Sequence, residues 1–158
     1  MTGSAKKDER RNMRYVFIIL ALIGIVVSSL ALREHYRPYG EDAPCDINAR
    51  WDCGTVNRSP YAVIPQGAKN GIPVAAIGIA GYLLLGVLAF RGAYGLTLLF
   101  AVPALAFSLY LAYFEASPNK LGVWCIYCAI SLGTISLLTL LLLVTVLVGV
   151  FRKPARPA

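Results

Sequence analysis

Of 158 residues, 58% are hydrophobic and only 15% charged, a balance that excludes an ordinary soluble domain and points to a membrane protein. The lysines and arginines behind the formal charge of +7 are spread along the chain and not gathered on one face, and all the excess lies on one side of the apolar stretches, so nucleic acid is not an expected partner. No phosphate-binding glycine pattern or internal repeat is present, and four membrane spans would leave no length for a second soluble domain.

Residues 1–14 form a basic N-terminus carrying Lys6, Lys7, Arg10, Arg11 and Arg14. Four stretches without Asp, Glu, Lys or Arg follow, at 15–32, 72–90, 92–114 and 121–151. At about 1.5 Å per residue, ~20 residues cross a ~30 Å hydrocarbon core, so each stretch predicts one spanning helix. The expected fold is an all-α integral membrane protein: a four-transmembrane-helix bundle over 15–151, with spans at about 15–32, 72–90, 92–114 and 124–151 and a tail at 152–158. The first span runs directly into Arg33, Glu34 and His35 without a small-residue cleavage site, so it is expected to stay as an anchor.

The connection 33–71 is far longer than the ~12–15 residues of an ordinary loop and is expected to be functional. Trp51, Tyr61, Val63 and Ile64 predict order within it, with a short helical turn over 53–58 that stops before Pro60. Arg91, with Gly92 and Gly95, predicts a tight hairpin, and 115–120, with Pro118 and Asn119, a short turn. Counting ~20 residues back from Arg152 puts the last hydrocarbon boundary near Leu132, which leaves 124–131 at the interface where Trp124 belongs.

One side of the membrane holds nine basic and two acidic residues, the other six of each. The positive-inside rule therefore places both termini in the cytoplasm and segments 33–71 and 115–120 outside. All four cysteines fall on that outer side: Cys45 and Cys53 in the long loop, Cys125 and Cys128 at the mouth of the last span. Four cysteines in an oxidising compartment allow three disulfide connectivities. Cys125 and Cys128, three apart at a helix start, share a face, and the positive end of the helix favours a thiolate there. A second pair on an exterior loop suits thiol–disulfide exchange between a soluble donor and the membrane boundary. With no haem motif and one histidine, a lipid-soluble quinone is the fitting terminal acceptor, since dithiol oxidation and quinone reduction both move two electrons.

The set Cys45-Asp46, Cys53, Ser59-Pro60-Tyr61, Gly71-Ile72-Pro73 with Gly78, and Trp124-Cys125-Ile126-Tyr127-Cys128 resembles the vitamin K epoxide reductase family, particularly its bacterial homologues. The DsbB family does the same work with four spans, but its Cys-x-x-Cys lies in the first exterior loop. The resemblance implies a helix bundle around a quinone of ubiquinone, menaquinone or vitamin K type, with the first exterior loop as a lid. It further implies that Cys125 and Cys128 are the active-site pair, Cys128 next to the quinone, and that Cys45 and Cys53 shuttle electrons. Cys45 would exchange with the external donor and Cys53 with Cys125, while Ser59 matches a hydroxyl used near the cofactor. Many homologues carry a fused thioredoxin-like domain. This chain ends at Ala158, implying a separate thioredoxin-like or DsbA-like exterior partner and a bacterial cell (inner) membrane with the cysteines facing the periplasm or exterior. Leu132 stands where the animal enzymes carry a tyrosine, a departure that weighs against epoxide reduction.

Other side chains have plainer expected roles: His35 at headgroup level, Asp46 and Asp52 as solvated loop charges, and Glu115 at the interface. Pro103 is expected to kink its helix, Gly78 and Gly81 to permit close helix packing, and Tyr110 and Tyr113 either to line the site or to anchor the interface. Two rival readings use the same cysteines: a four-sulfur zinc site, or a noncatalytic scaffold with structural disulfides. Neither a zinc ion nor any other metal is required by the relay.

Overall fold

The structure, a computed structural model, describes residues 2–38 and 44–151, with side chains described for 11–38 and 44–149. Glu41, Asp42, the tail 152–158 and the side chains of Lys6, Lys7 and Arg10, which contribute to the charge asymmetry, lie outside the described residues. The elements in order are α1 (Thr2–His35), α2 (Cys53–Asn57), a 3-10 turn (Pro60–Ala62), β1 (Val63–Ile64), β2 (Ile72–Pro73), α3 (Val74–Phe90), α4 (Tyr94–Ala116) and α5 (Ile126–Phe151). The expected turn over 53–58 is α2, with Arg58 at its C-cap.

Helices α1, α4 and α5 are each long and apolar enough to cross a membrane, whereas α3 has 17 residues. It starts at Val74 and not at 72, because Ile72 and Pro73 pair antiparallel with Ile64 and Val63. A short apolar run reads the same as strand or helix until its partner is known. The first helix extends back well before residue 15, since its Ala, Lys, Glu and Arg residues are good helix formers in water. Helix α4 runs on through Pro103, which is exposed. The turn between α3 and α4 uses Gly92 in the left-handed region, φ 73°, where a side chain would be strained.

Lipid tails are as apolar as leucine, so these helices associate through close packing and a few polar contacts. Helix α1 packs on α3 and α5, and α4 on α5 and α3. The α1–α3 seam is made of small residues: a Cβ on Gly24 would overlap the Tyr82 ring, and one on Gly78 would crowd the Ser28 hydroxyl. Gly81, expected to serve the same end, has open space beside it and faces a cavity instead. Buried Tyr82 donates its hydroxyl to the Ser131 carbonyl on α5 at 2.8 Å, an interhelical bond worth about 1 kcal/mol. Phe17, Leu85, Ala101, Leu138 and Leu142 close the core at the end of the bundle that holds the α3–α4 turn. At the opposite end the helices part around the cavity, and the long loop folds over it.

Candidate functional site

The loop is held to the bundle by backbone pairing beside the cysteines. Trp124 donates its N–H to the Arg50 carbonyl at 2.8 Å, and Asp52 donates to the Trp124 carbonyl at 3.0 Å. This parallel bridge places Cys53, next after Asp52, and Cys125, next after Trp124, in one buried cluster with Cys45 and Val56. The two indole rings lie 6.4 Å apart on the bridge. Asp52 caps α2 by accepting from the Thr55 N–H at 2.7 Å, and Asp46 accepts from the Gly54 N–H at 3.1 Å. The two acids are therefore anchors of the loop turn, the Asp52 cap being worth about 1 kcal/mol, and not free solvated charges.

Cys45 and Cys53 are joined in a disulfide, and Cys125 and Cys128 are free thiols. Neither loop cysteine is open to solvent: Cys45 is 4% exposed and Cys53 fully buried. Sulfur and carboxylate atoms of Cys45, Asp46 and Cys53 cluster within 4.8 Å, but the two sulfurs are bonded to each other and do not form half of a four-thiolate zinc site.

Cys125 precedes the first residue of α5 and its carbonyl accepts the Ala129 N–H at 2.9 Å, so it stands at the helix cap. The Cys128 thiol donates to its sulfur and holds the Cys125 thiol below its ordinary pKa. Burial works in the opposite direction, and the Cys128 N–H and Asn57 amide reinforce the lowering. Asn57 uses its two amide hydrogens on the two cysteine segments, donating to the Cys53 carbonyl at 2.9 Å and to the Cys125 sulfur at 3.3 Å. The main-chain carbonyl of Asn57 accepts from His35 Nδ1 at 2.5 Å. His35 is thus half-buried in the wall of the site.

Glu115, expected at the interface, is 4% exposed. Its carboxylate accepts the Cys125 N–H at 3.0 Å and, with Cys128, forms part of the wall of the cavity below. Sequence reasoning passed over Asn57 as well. A signal existed for each: Asn57 lies four residues after Cys53, on the same helical face, and Glu115 is an ionisable side chain at the end of an apolar span.

Below this cluster lies a cavity of about 230 Å³, lined mainly by apolar side chains of all four long helices. Cys128 is in its wall, with Ser59, His35, Asn57, Glu115 and Leu132. Ser59 donates its hydroxyl to the Val56 carbonyl at 2.8 Å, which ends α2, while its position also borders the cavity. Tyr61 of the 3-10 turn stacks on Phe114 of α4, ring centres 4.4 Å apart, and seats the loop over the opening. Tyr110 and Tyr113 are exposed and stand outside the cavity, in edge contacts with Phe114.

No curated protein matches the chain in sequence. The model of the vitamin K epoxide reductase family matches residues 15–147, a stretch that includes the apolar parts of the four helices, both cysteine pairs and the cavity. The chain belongs to the vitamin K epoxide reductase family.

Proposed function

We propose that the protein is a membrane thiol:quinone oxidoreductase that supports disulfide formation in a separate exterior protein with a thioredoxin-like active site. Members of the family are oxidoreductases. The observation that carries the finer reading is the burial of Cys53 and Cys125 in one cluster, with Cys128 in the wall of an apolar cavity directly beneath.

The chemistry runs by thiol–disulfide exchange. A thiolate of the reduced partner attacks Cys45, and the partner's second thiol closes its own disulfide, leaving Cys45 and Cys53 reduced. Cys53 then attacks Cys125 of an oxidised inner pair and releases Cys128. Cys45 attacks Cys53 in turn, so the outer disulfide re-forms and Cys125 and Cys128 are left as thiols. The described state, outer pair joined and inner pair free, corresponds to the end of that sequence. Because Cys45 is buried, the partner must first open the loop to reach it.

A cavity of this size, below the ~300–1,000 Å³ of drug-sized pockets, fits a quinone headgroup with its tail left in lipid. Cys128 would face the group, with Ser59 and Leu132 in the surrounding wall. A quinone of ubiquinone, menaquinone or vitamin K type supplies an acceptor for two electrons and two protons. Both termini are cytoplasmic and the cysteines exterior in this reading. After reduction by a small dithiol, impermeant maleimide should label Cys45 in intact cells or spheroplasts, and its failure to do so would overturn the orientation.

The order of transfer has its own test. In Cys45→Ala protein nothing on the loop side can resolve the exchange, so a Cys53–Cys125 disulfide should accumulate and protect the loop from proteolysis. Nonreducing peptide mass spectrometry that found only Cys125–Cys128, with Cys53 free, would refute the order.

A further inference from the structure

The inner pair must lose two protons as well as two electrons, and the exchange sequence above leaves the carrier of those protons undefined. The Cys128 thiol has one hydrogen and two acceptors in reach, the Cys125 sulfur and the Glu115 carboxylate. Glu115 is buried between the inner pair and the cavity, whose wall it also forms. Among the described residues no Lys or Arg pairs with it, and its carboxylate accepts the Cys125 N–H. A carboxylate in that setting is costly to keep unless it serves a purpose. Helix capping alone does not require it, since a neutral Ser, Thr or Asn could accept a backbone N–H equally well.

We propose that Glu115 is the general base of the inner thiol pair. This rests on the thiol:quinone reading and deepens it. The carboxylate takes the Cys128 proton as electrons leave that sulfur. The Cys125 thiolate then bonds to Cys128, two S–H bonds having been lost and one S–S bond formed. Two electrons leave to the quinone. The Cys128 proton passes from Glu115 into the cavity and ends on a quinol oxygen, and the proton released on forming the Cys125 thiolate completes the quinol through solvent. The other titratable side chains around the cavity are His35, Tyr61, Tyr82 and Tyr127, and the two facing Glu115 itself are Cys125 and Cys128.

Glu115→Gln keeps an oxygen for the Cys125 N–H but cannot exchange a proton. In detergent-solubilised full-length protein, reduced beforehand, single-turnover transfer to a short-chain benzoquinone should slow by about a hundredfold or more, the scale of a lost general base. Glu115→Asp should recover part of the rate. A second measurement needs no quinone: alkylation of Cys128 by iodoacetamide across pH, located by peptide fragmentation. With the carboxylate gone, one of the two like charges that oppose the Cys128 thiolate, the other being Cys125, is removed, so alkylation at neutral pH should quicken by about threefold or more, while the Cys45–Cys53 disulfide still forms. Transfer within about twofold of wild type in Glu115→Gln would overturn the proposal, since a lost base costs far more. So would slow transfer with an unmoved alkylation profile, the mark of a merely structural role. If wild-type protein passes no electrons to quinone, the functional reading fails, and the alkylation arm alone then upholds or overturns the Glu115–Cys128 coupling.

Discussion

Replacement of Cys125 or Cys128 by alanine is expected to abolish quinone reduction with every electron donor, down to the background of the uncatalysed mixture. Cys128 borders the cavity and Cys125 is the other free thiol, one helical turn away, so no route to the acceptor avoids them. Loss of Cys45 or Cys53 should have a donor-dependent result. Reduction driven by a thioredoxin-like protein should fail, whereas dithiothreitol, small enough to reach the inner pair directly, should still support turnover. A spectrophotometric quinone assay on the four variants, each with both donors, decides the matter. Equal loss in all four with dithiothreitol would remove the shuttle role of the loop pair, and full activity in any inner-pair variant would remove the reading altogether. The same assay separates the rivals, since neither a scaffold nor a zinc site would turn over at all.

The second large effect is expected at Asn57. Its amide donates to the Cys125 sulfur at 3.3 Å, and a hydrogen bond to a charged group is worth about 1.5–3 kcal/mol, or about tenfold to a hundredfold in an equilibrium. The Cys125 thiol is held below its ordinary pKa, so its thiolate persists to lower pH than that of a free cysteine. Asn57→Ala withdraws one stabilising donor, and the thiol should return toward its usual value. At neutral pH the reactive fraction then falls, and the rise of Cys125 alkylation should move to higher pH by about one unit. Asn57→Asp adds a negative charge in the same place and should move it further. Iodoacetamide alkylation followed across pH measures both, and a superimposable profile in Asn57→Ala would exclude the amide as a thiolate donor.

Hydropathy located the four long helices because burial in lipid demands an uninterrupted apolar run, and spacing paired Cys125 with Cys128 because three residues make nearly one helical turn. It could not locate the ends of α1 or α3. Charge marks where the hydrocarbon stops, not where the backbone ceases to be helical, and Ile72-Pro73 is equally apolar as strand or helix. The contacts that make the site are the least legible. Asn57 and Cys125 are 68 residues apart in sequence, and nothing in the local pattern of either announces the other. The partner of Glu115 was hidden for a related reason: Glu115 ends an apolar run, which ordinarily means headgroups, and its bond to the Cys125 N–H spans ten residues. Asp46 and Asp52 likewise became caps only once α2 had formed between them and Asn57.

The shortness of α3 bears on the lipid as well as on the fold. Seventeen residues give about 25 Å of helix, several ångström less than a ~30 Å hydrocarbon core. The two β2 residues ahead of it, rising about 3.3 Å each, more than cover the difference. Open strand edges are not tolerated in hydrocarbon, so the β1–β2 hairpin belongs at the acyl-chain boundary, with exposed Ile64 and Ile72 turned to that depth. The covering loop is thereby moored to the bilayer in addition to the bundle. A thicker bilayer draws that mooring inward and a thinner one leaves it in water, each ångström of mismatch costing a fraction of a kcal/mol. Membrane thickness thus enters the seating of the loop over the cavity.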